Sequence, residues 1–151
     1  MFYETRRRDK AILPHDPFKA IVAPRPIGWI STRALDGRIN LAPYSFFNGF
    51  CSAPPIVGFS SEGWKDSAAF AKESGEFVVN LATLSLRDPM NATSAPLARG
   101  ANEFDHARLT MAECRLVAPW RVRRAAATSE PRRAPRPRAA PSQQRVGRAQ
   151  P

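Results

Sequence analysis

Apolar residues fall in short bursts along the chain, separated by prolines, glycines and polar turns, and long helical periodicity is absent. Phe18–Val22 is a brief apolar run stopped by Ala-Pro-Arg-Pro at 23–26, whose prolines hold the chain extended around Arg25. Ile27–Thr32 and Arg38–Ala42 are strand-like runs flanking Asp36-Gly37, a strong hairpin signal. Pro55–Ser60 predicts a third strand and Glu76–Ala82 a fourth, the clearest of the set. Asp66–Ser74 between them predicts a short helix, with Asp66 as N-cap, Phe70 and Ala71 facing a core, and Gly75 ending it. Leu84–Ala95 is a weaker helical segment because Pro89 fits only near a first turn. Residues 96–113 read as loop with one helical turn, and Arg115–Val117 as the start of a fifth strand. The expected class is mainly β, a small antiparallel β-barrel with peripheral helices.

Charge divides the chain in two. The 151 residues carry 23 Lys+Arg and 13 Asp+Glu, a net charge of +10. Residues 1–120 hold only +2 of it, while residues 121–151 hold 9 Arg against the single acid Glu130. That last stretch also has 7 Ala and 5 Pro, and Val122 and Val146 are its sizeable apolar groups. Such a composition buries too little surface to offset its ordering entropy, so disorder is expected from residue 121, after a domain spanning 1–120.

The uncharged stretch Ile39–Ser61 is interrupted by Pro43, Pro54, Pro55, Gly49 and Gly58, which argues against a membrane span. No apolar run follows the basic amino terminus, so a cytoplasmic protein without a signal peptide is expected. Cys51 and Cys114 fit no metal or redox spacing and read as two buried thiols.

Hydrolytic and metal signatures are missing. His15 and His106 belong to no ligand spacing, and His15 reads as a surface or structural residue. The second glycine of Gly58-Phe-Ser-Ser-Glu-Gly63 comes one position too late for a nucleophile elbow. No catalytic side chain and no metal ligand is expected. Two clusters remain. Ser60 to Ser67 joins hydroxyls, a glycine, Lys65 and a helix start, which suits a terminal phosphate as well as it suits a solvated loop. Asn40 to Asn48 alternates aromatics with Ser and Asn, which suits a planar heteroaromatic ring as well as it suits a core strand.

Five segments occur together and in order: Ala-Pro-Arg-Pro-Ile-Gly-Trp-Ile-Ser-Thr (23–32), Asn-Leu-Ala-Pro-Tyr-Ser-Phe-Phe-Asn (40–48), Phe-Ser-Ser…Lys-Asp-Ser (59–67), Glu-Phe-Val-Val-Asn-Leu (76–81) and Met-Asn-Ala-Thr-Ser (90–94). Over about residues 1–118 the combination resembles the flavin reductase-like family of FMN-binding split β-barrel flavoproteins. The resemblance implies a split barrel that dimerises with FMN near the subunit interface. It places Ser31 and Thr32 beside the flavin ring or ribityl chain. Ser45, Phe46, Phe47 and Asn48 become ring contacts, and Ser60, Lys65, Asp66 and Ser67 the phosphate end. It also implies NAD(P)H as electron donor, with hydride passing from nicotinamide to flavin, which needs no acid, base or metal from the protein.

Proteins resembling this one usually continue for 70–90 ordered residues past this point, completing the barrel and the dimer. Here the Arg/Ala/Pro-rich change after about residue 120 reads as a frameshift-derived tail. An incomplete barrel exposes an open edge, so weak or absent FMN binding is expected. The competing expectation is a nucleic-acid or acidic-surface binder working through the basic tail, which has arginines but no aromatics to stack on bases. A flavin-binding protein that reduces nothing is the third.

Overall fold

The computed structural model describes residues 8–131. The Asp36-Gly37 hairpin forms as the pattern predicts. Strands β1 (Gly28–Arg33) and β2 (Ile39–Tyr44) pair antiparallel, Gly28 opposite Tyr44 and Arg33 opposite Ile39. Gly37 takes the positive φ of 95° that this tight turn requires. Strand β5 (Val78–Asn80) joins the other edge of β1, and β8 (Thr128–Ser129) joins β5, giving a sheet ordered β2-β1-β5-β8. A second hairpin, β3 (Phe47–Ser52) with β4 (Pro55–Phe59), stands apart from this sheet with a register shift between Gly49 and Cys51. Strands β6 (Met111–Ala112) and β7 (Arg121–Val122) form a third, very short pair.

Helix α1 (Pro17–Ile21) starts at Asp16, whose carboxylate accepts the Phe18 N–H. Helix α2 (Asp66–Ser74) has the predicted bounds and ends at Gly75 in the left-handed region. Its N-cap is Lys65 and not Asp66, because Lys65 is still extended while its carbonyl already accepts the Ala69 N–H; the Asp66 carboxylate bonds Arg99 and Gly100. The weakly helical stretch splits into a 3-10 turn at Leu84–Leu86 and helix α3 (Arg87–Ala92), with Pro89 in the first turn of α3. Helix α4 (Glu103–His106) is the single turn expected in the long loop.

The core is built on Trp29, Leu41, Leu86, Phe104 and Val122. Val122 requires a correction to the expected boundary at residue 120. Residues 121–131 carry two strands, and Val122 is 1% exposed. This one apolar side chain enters the core while polar groups fasten the backbone around it. Ser31 Oγ donates to the Trp120 carbonyl, the Val122 N–H donates to Asn80 Oδ1 at 2.8 Å, and the Ala118 N–H donates to Glu76 Oε2. Glu130, the lone acid, accepts the backbone N–H groups of Arg115 and Leu116. Residues 121–131 are therefore ordered where disorder was expected. The frameshift and nucleic-acid expectations, as they concern residues 132–151, lie outside the described residues.

Two smaller corrections follow. Arg115–Val117 is not a strand, because its N–H groups at 115 and 116 are taken by Glu130 and not by a ladder. The cysteines are not both buried. Cys51 is exposed on β3, and Cys114 is half-buried, its thiol pushed up to about 11 by burial and then by the Glu130 carboxylate. His15 is exposed, as expected.

Candidate functional site

A cavity of about 590 Å³ lies where α2 and the segment 93–99 meet strand β2. Asn40, Ala42 and Tyr44 line it from β2, and Ser45 and Phe46 from the chain that follows. Ser60, Glu62 and Trp64 to Ser67 contribute from the loop into α2. Hydroxyls at Thr93 and Ser94, the run Ala95–Arg99, and Glu103 close the opposite side. Volume and mixed aromatic and polar lining suit a nucleotide-sized organic ligand.

Each wall is held by specific bonds. Thr93 Oγ1 accepts from the buried Trp29 Nε1 at 3.0 Å and donates to the Met90 carbonyl, which ties the 93–99 segment to the core. Asp66 receives Arg99 Nε and the Gly100 N–H, both at 2.9 Å, so the first residue of α2 anchors the same segment from its other end. Lys19 of α1 pairs with Glu62 at 3.4 Å across exposed side chains at the rim. Phe46 is stacked on Phe18 and capped by the Arg25 guanidinium, 5.2 Å from its ring centre.

Charge in the cavity is balanced by pairing. Glu62 and Asp66 have Lys19 and Arg99. Glu103 is buried, and burial raises its carboxyl above the usual range. The Leu41 N–H and the Asn40 amide work against that rise by donating to it. Among the described residues Lys65 belongs to no ion pair, and it lines the cavity with Ser60 at the α2 N-terminus.

Of the residues singled out from the sequence, Ser45, Phe46, Ser60, Lys65, Asp66 and Ser67 converge on this cavity. Ser31 and Thr32 do not line it. Both are fully buried in β1, Ser31 bonded to Trp120 and near Asn80, and Thr32 Oγ1 without a hydrogen-bond partner. Phe47 and Asn48 lie on β3 outside the cavity, Phe47 against Gly28 and Asn48 exposed. Sequence reading missed Arg99 and Glu103. Thr93 and Ser94 stood inside a motif without a role. The hydroxyl pair was the available signal; nothing local marks Arg99 or Glu103, whose partners are 33 to 63 residues away.

Comparison with known proteins agrees with this architecture. A family model described as flavin reductase like domain matches residues 22–132. An uncharacterized protein of Aquifex aeolicus is 35% identical over 115 residues, covering 73% of this chain and 59% of that protein. Nitrilotriacetate monooxygenase component B from Bacillus cereus superposes with a TM-score of 0.74 at 26% identity, over 86% of this chain and 66% of that one. A split-barrel-domain protein from Shewanella frigidimarina superposes with a TM-score of 0.66 at 19% identity, over 70% of this chain and 54% of that one, and bears on the fold alone. The chain spans about half the length of the curated relatives it matches. The fold is that of the split-barrel proteins, mostly sheet with few helices.

Proposed function

We propose that this chain, which belongs to the flavin reductase-like family, binds FMN in the cavity between β2, α2 and the 93–99 segment. The observation that carries this reading is the meeting of Lys65, in no ion pair among the described residues, and the α2 N-terminus with aromatic and hydroxyl groups in one cavity. The two ends of that cavity ask for different parts of one ligand. Lys65, Ser60 and the first N–H groups of α2 suit a terminal phosphate. Tyr44, Phe46 and the Thr93–Ser94 pair suit a flat heteroaromatic ring with polar edges.

The chemistry supplied by the bound flavin is acceptance of a hydride from a reduced nicotinamide nucleotide. The chain's own part is positional. Asp66 fixes the 93–99 wall, the Trp29–Thr93 bond ties it to the core, and the Lys19–Glu62 pair stands at the rim. No side chain in this reading transfers a proton. A homodimer covers the exposed β3–β4 hairpin.

Titrating the purified chain with FMN tests the reading. Weak but saturable quenching of flavin fluorescence is expected, in keeping with an incomplete barrel, and Lys65→Ala weakens it about tenfold while leaving riboflavin binding within about twofold, as loss of one charge-assisted contact predicts. Absence of any saturable quenching defeats the reading. NADH oxidation on addition of FMN separates a reductase from a flavin binder that reduces nothing.

A further inference from the structure

Ser67 stands at the phosphate end of the cavity, yet its hydroxyl is already committed. It donates to Asn40 Oδ1, and Asn40 Nδ2 donates in turn to Glu103 Oε1 at 2.8 Å. Glu103 Oε2 accepts the Leu41 N–H at 3.0 Å. All three side chains are buried, Ser67 to 1% exposure, and they connect α2, β2 and α4 in one line. Chemistry fixes the direction of that line. An ionised carboxylate only accepts hydrogen bonds, so the Asn40 amide must turn its NH₂ toward Glu103 and its oxygen toward Ser67. A serine hydroxyl has a single proton, and here Asn40 takes it. What remains of Ser67 for the cavity is acceptor lone pairs, which a phosphate oxygen cannot use.

We infer that Glu103 is a positioning residue that sets, through Asn40, the hydrogen-bonding polarity of Ser67, and so holds back the cavity's preference for a phosphorylated over an unphosphorylated flavin. The inference rests on the reading that the cavity takes a flavin. In it Ser67 accepts from a hydroxyl-bearing part of the ligand, while the phosphate depends on Lys65 and backbone N–H groups. A neutral isostere at 103 reverses the line. The carbonyl oxygen of Gln accepts the Leu41 N–H and its NH₂ donates to Asn40 Oδ1. Asn40 Nδ2 then donates to Ser67 Oγ, and the serine proton is released to the cavity.

The experiment measures the ratio of FMN to riboflavin affinity in four forms of the chain: unaltered, Glu103→Gln, Ser67→Ala and the double variant. Glu103→Gln is expected to raise the ratio about tenfold, the effect of one added hydrogen bond to a charged group. In the Ser67→Ala background the same substitution is expected to change it less than about twofold. Asn40→Ala cuts the line at its middle and is expected to raise the ratio as well, which gives a second reading if Glu103→Gln fails to fold. An unchanged ratio in Glu103→Gln overturns the inference. So does an equal rise with and without Ser67, which assigns the effect to the lost negative charge alone. If the unaltered chain binds neither flavin, the flavin reading itself falls and this inference goes with it; binding of both with no change in ratio removes only the inference.

Discussion

Two hairpins of similar strand length behave oppositely. In β1–β2 nearly every residue is buried or half-buried, Trp29, Ile30 and Leu41 completely. In β3–β4 most residues are exposed, including Phe50 at 71% and Ile56 at 45%. Both are antiparallel and both carry apolar side chains, so strand propensity does not separate them. The difference is cover. Helix α2, helix α4 and the Val122 segment supply the first hairpin with neighbours, whereas no element of the described chain packs over Phe50 and Ile56. Apolar residues on an uncovered hairpin are the usual mark of an association surface.

Substitution at each hairpin sharpens this contrast. The largest effect is expected at Trp29→Ala, which removes the biggest fully buried side chain and leaves Thr93 Oγ1 without its donor. It should cost about 3–5 kcal/mol, enough to unfold a marginal domain, as read by chemical denaturation. A smaller effect is expected where the hairpins touch. A Cβ at Gly28 would sit 2.5 Å from the Phe47 ring, so Gly28→Ala overpacks the junction and should cost about 1–3 kcal/mol. Adding Phe47→Ala to it should recover most of that loss, and failure to recover would mean that β1 itself rejects the side chain. The smallest effect is expected at Phe50→Ala. With the ring exposed, stability should change by less than about 0.5 kcal/mol, while the self-association proposed for this hairpin, followed by sedimentation, should be lost. A stability loss as large as that of Trp29→Ala would erase the distinction between the two hairpins.

What could be read from the sequence was local. Asp36-Gly37 fixes its hairpin because two residues determine the turn, and the Asp66–Ser74 helix is bounded by residues that start and stop helices within one turn. Strand β3 was harder to read because Asn48, Gly49 and Ser52 break the apolar pattern, and its strand character comes from pairing with β4. The segment 121–131 was misread because composition averages over a window. Its placement depends on Val122 joining the core cluster of Trp29, Leu41, Leu86 and Phe104 and on Glu130 meeting the N–H groups of Arg115 and Leu116. The candidate site divides the same way. Six of the ten residues singled out converge on the cavity, since each lies in one of two contiguous segments that run along its wall. Ser31 and Thr32 do not, because their strand is interior to the sheet and its hydroxyls face the protein.

The sequence by itself determined the hairpin turn, the bounds of α2, the class of the fold and the family, because each is written in short-range spacing or in several motifs kept in order. Only the tertiary structure decided which hydroxyls face the cavity, that Arg99 and Glu103 belong to it, and that Val122 belongs to the core. Those outcomes are contacts between residues tens of positions apart, and burial and hydrogen-bond direction exist only once the elements have docked.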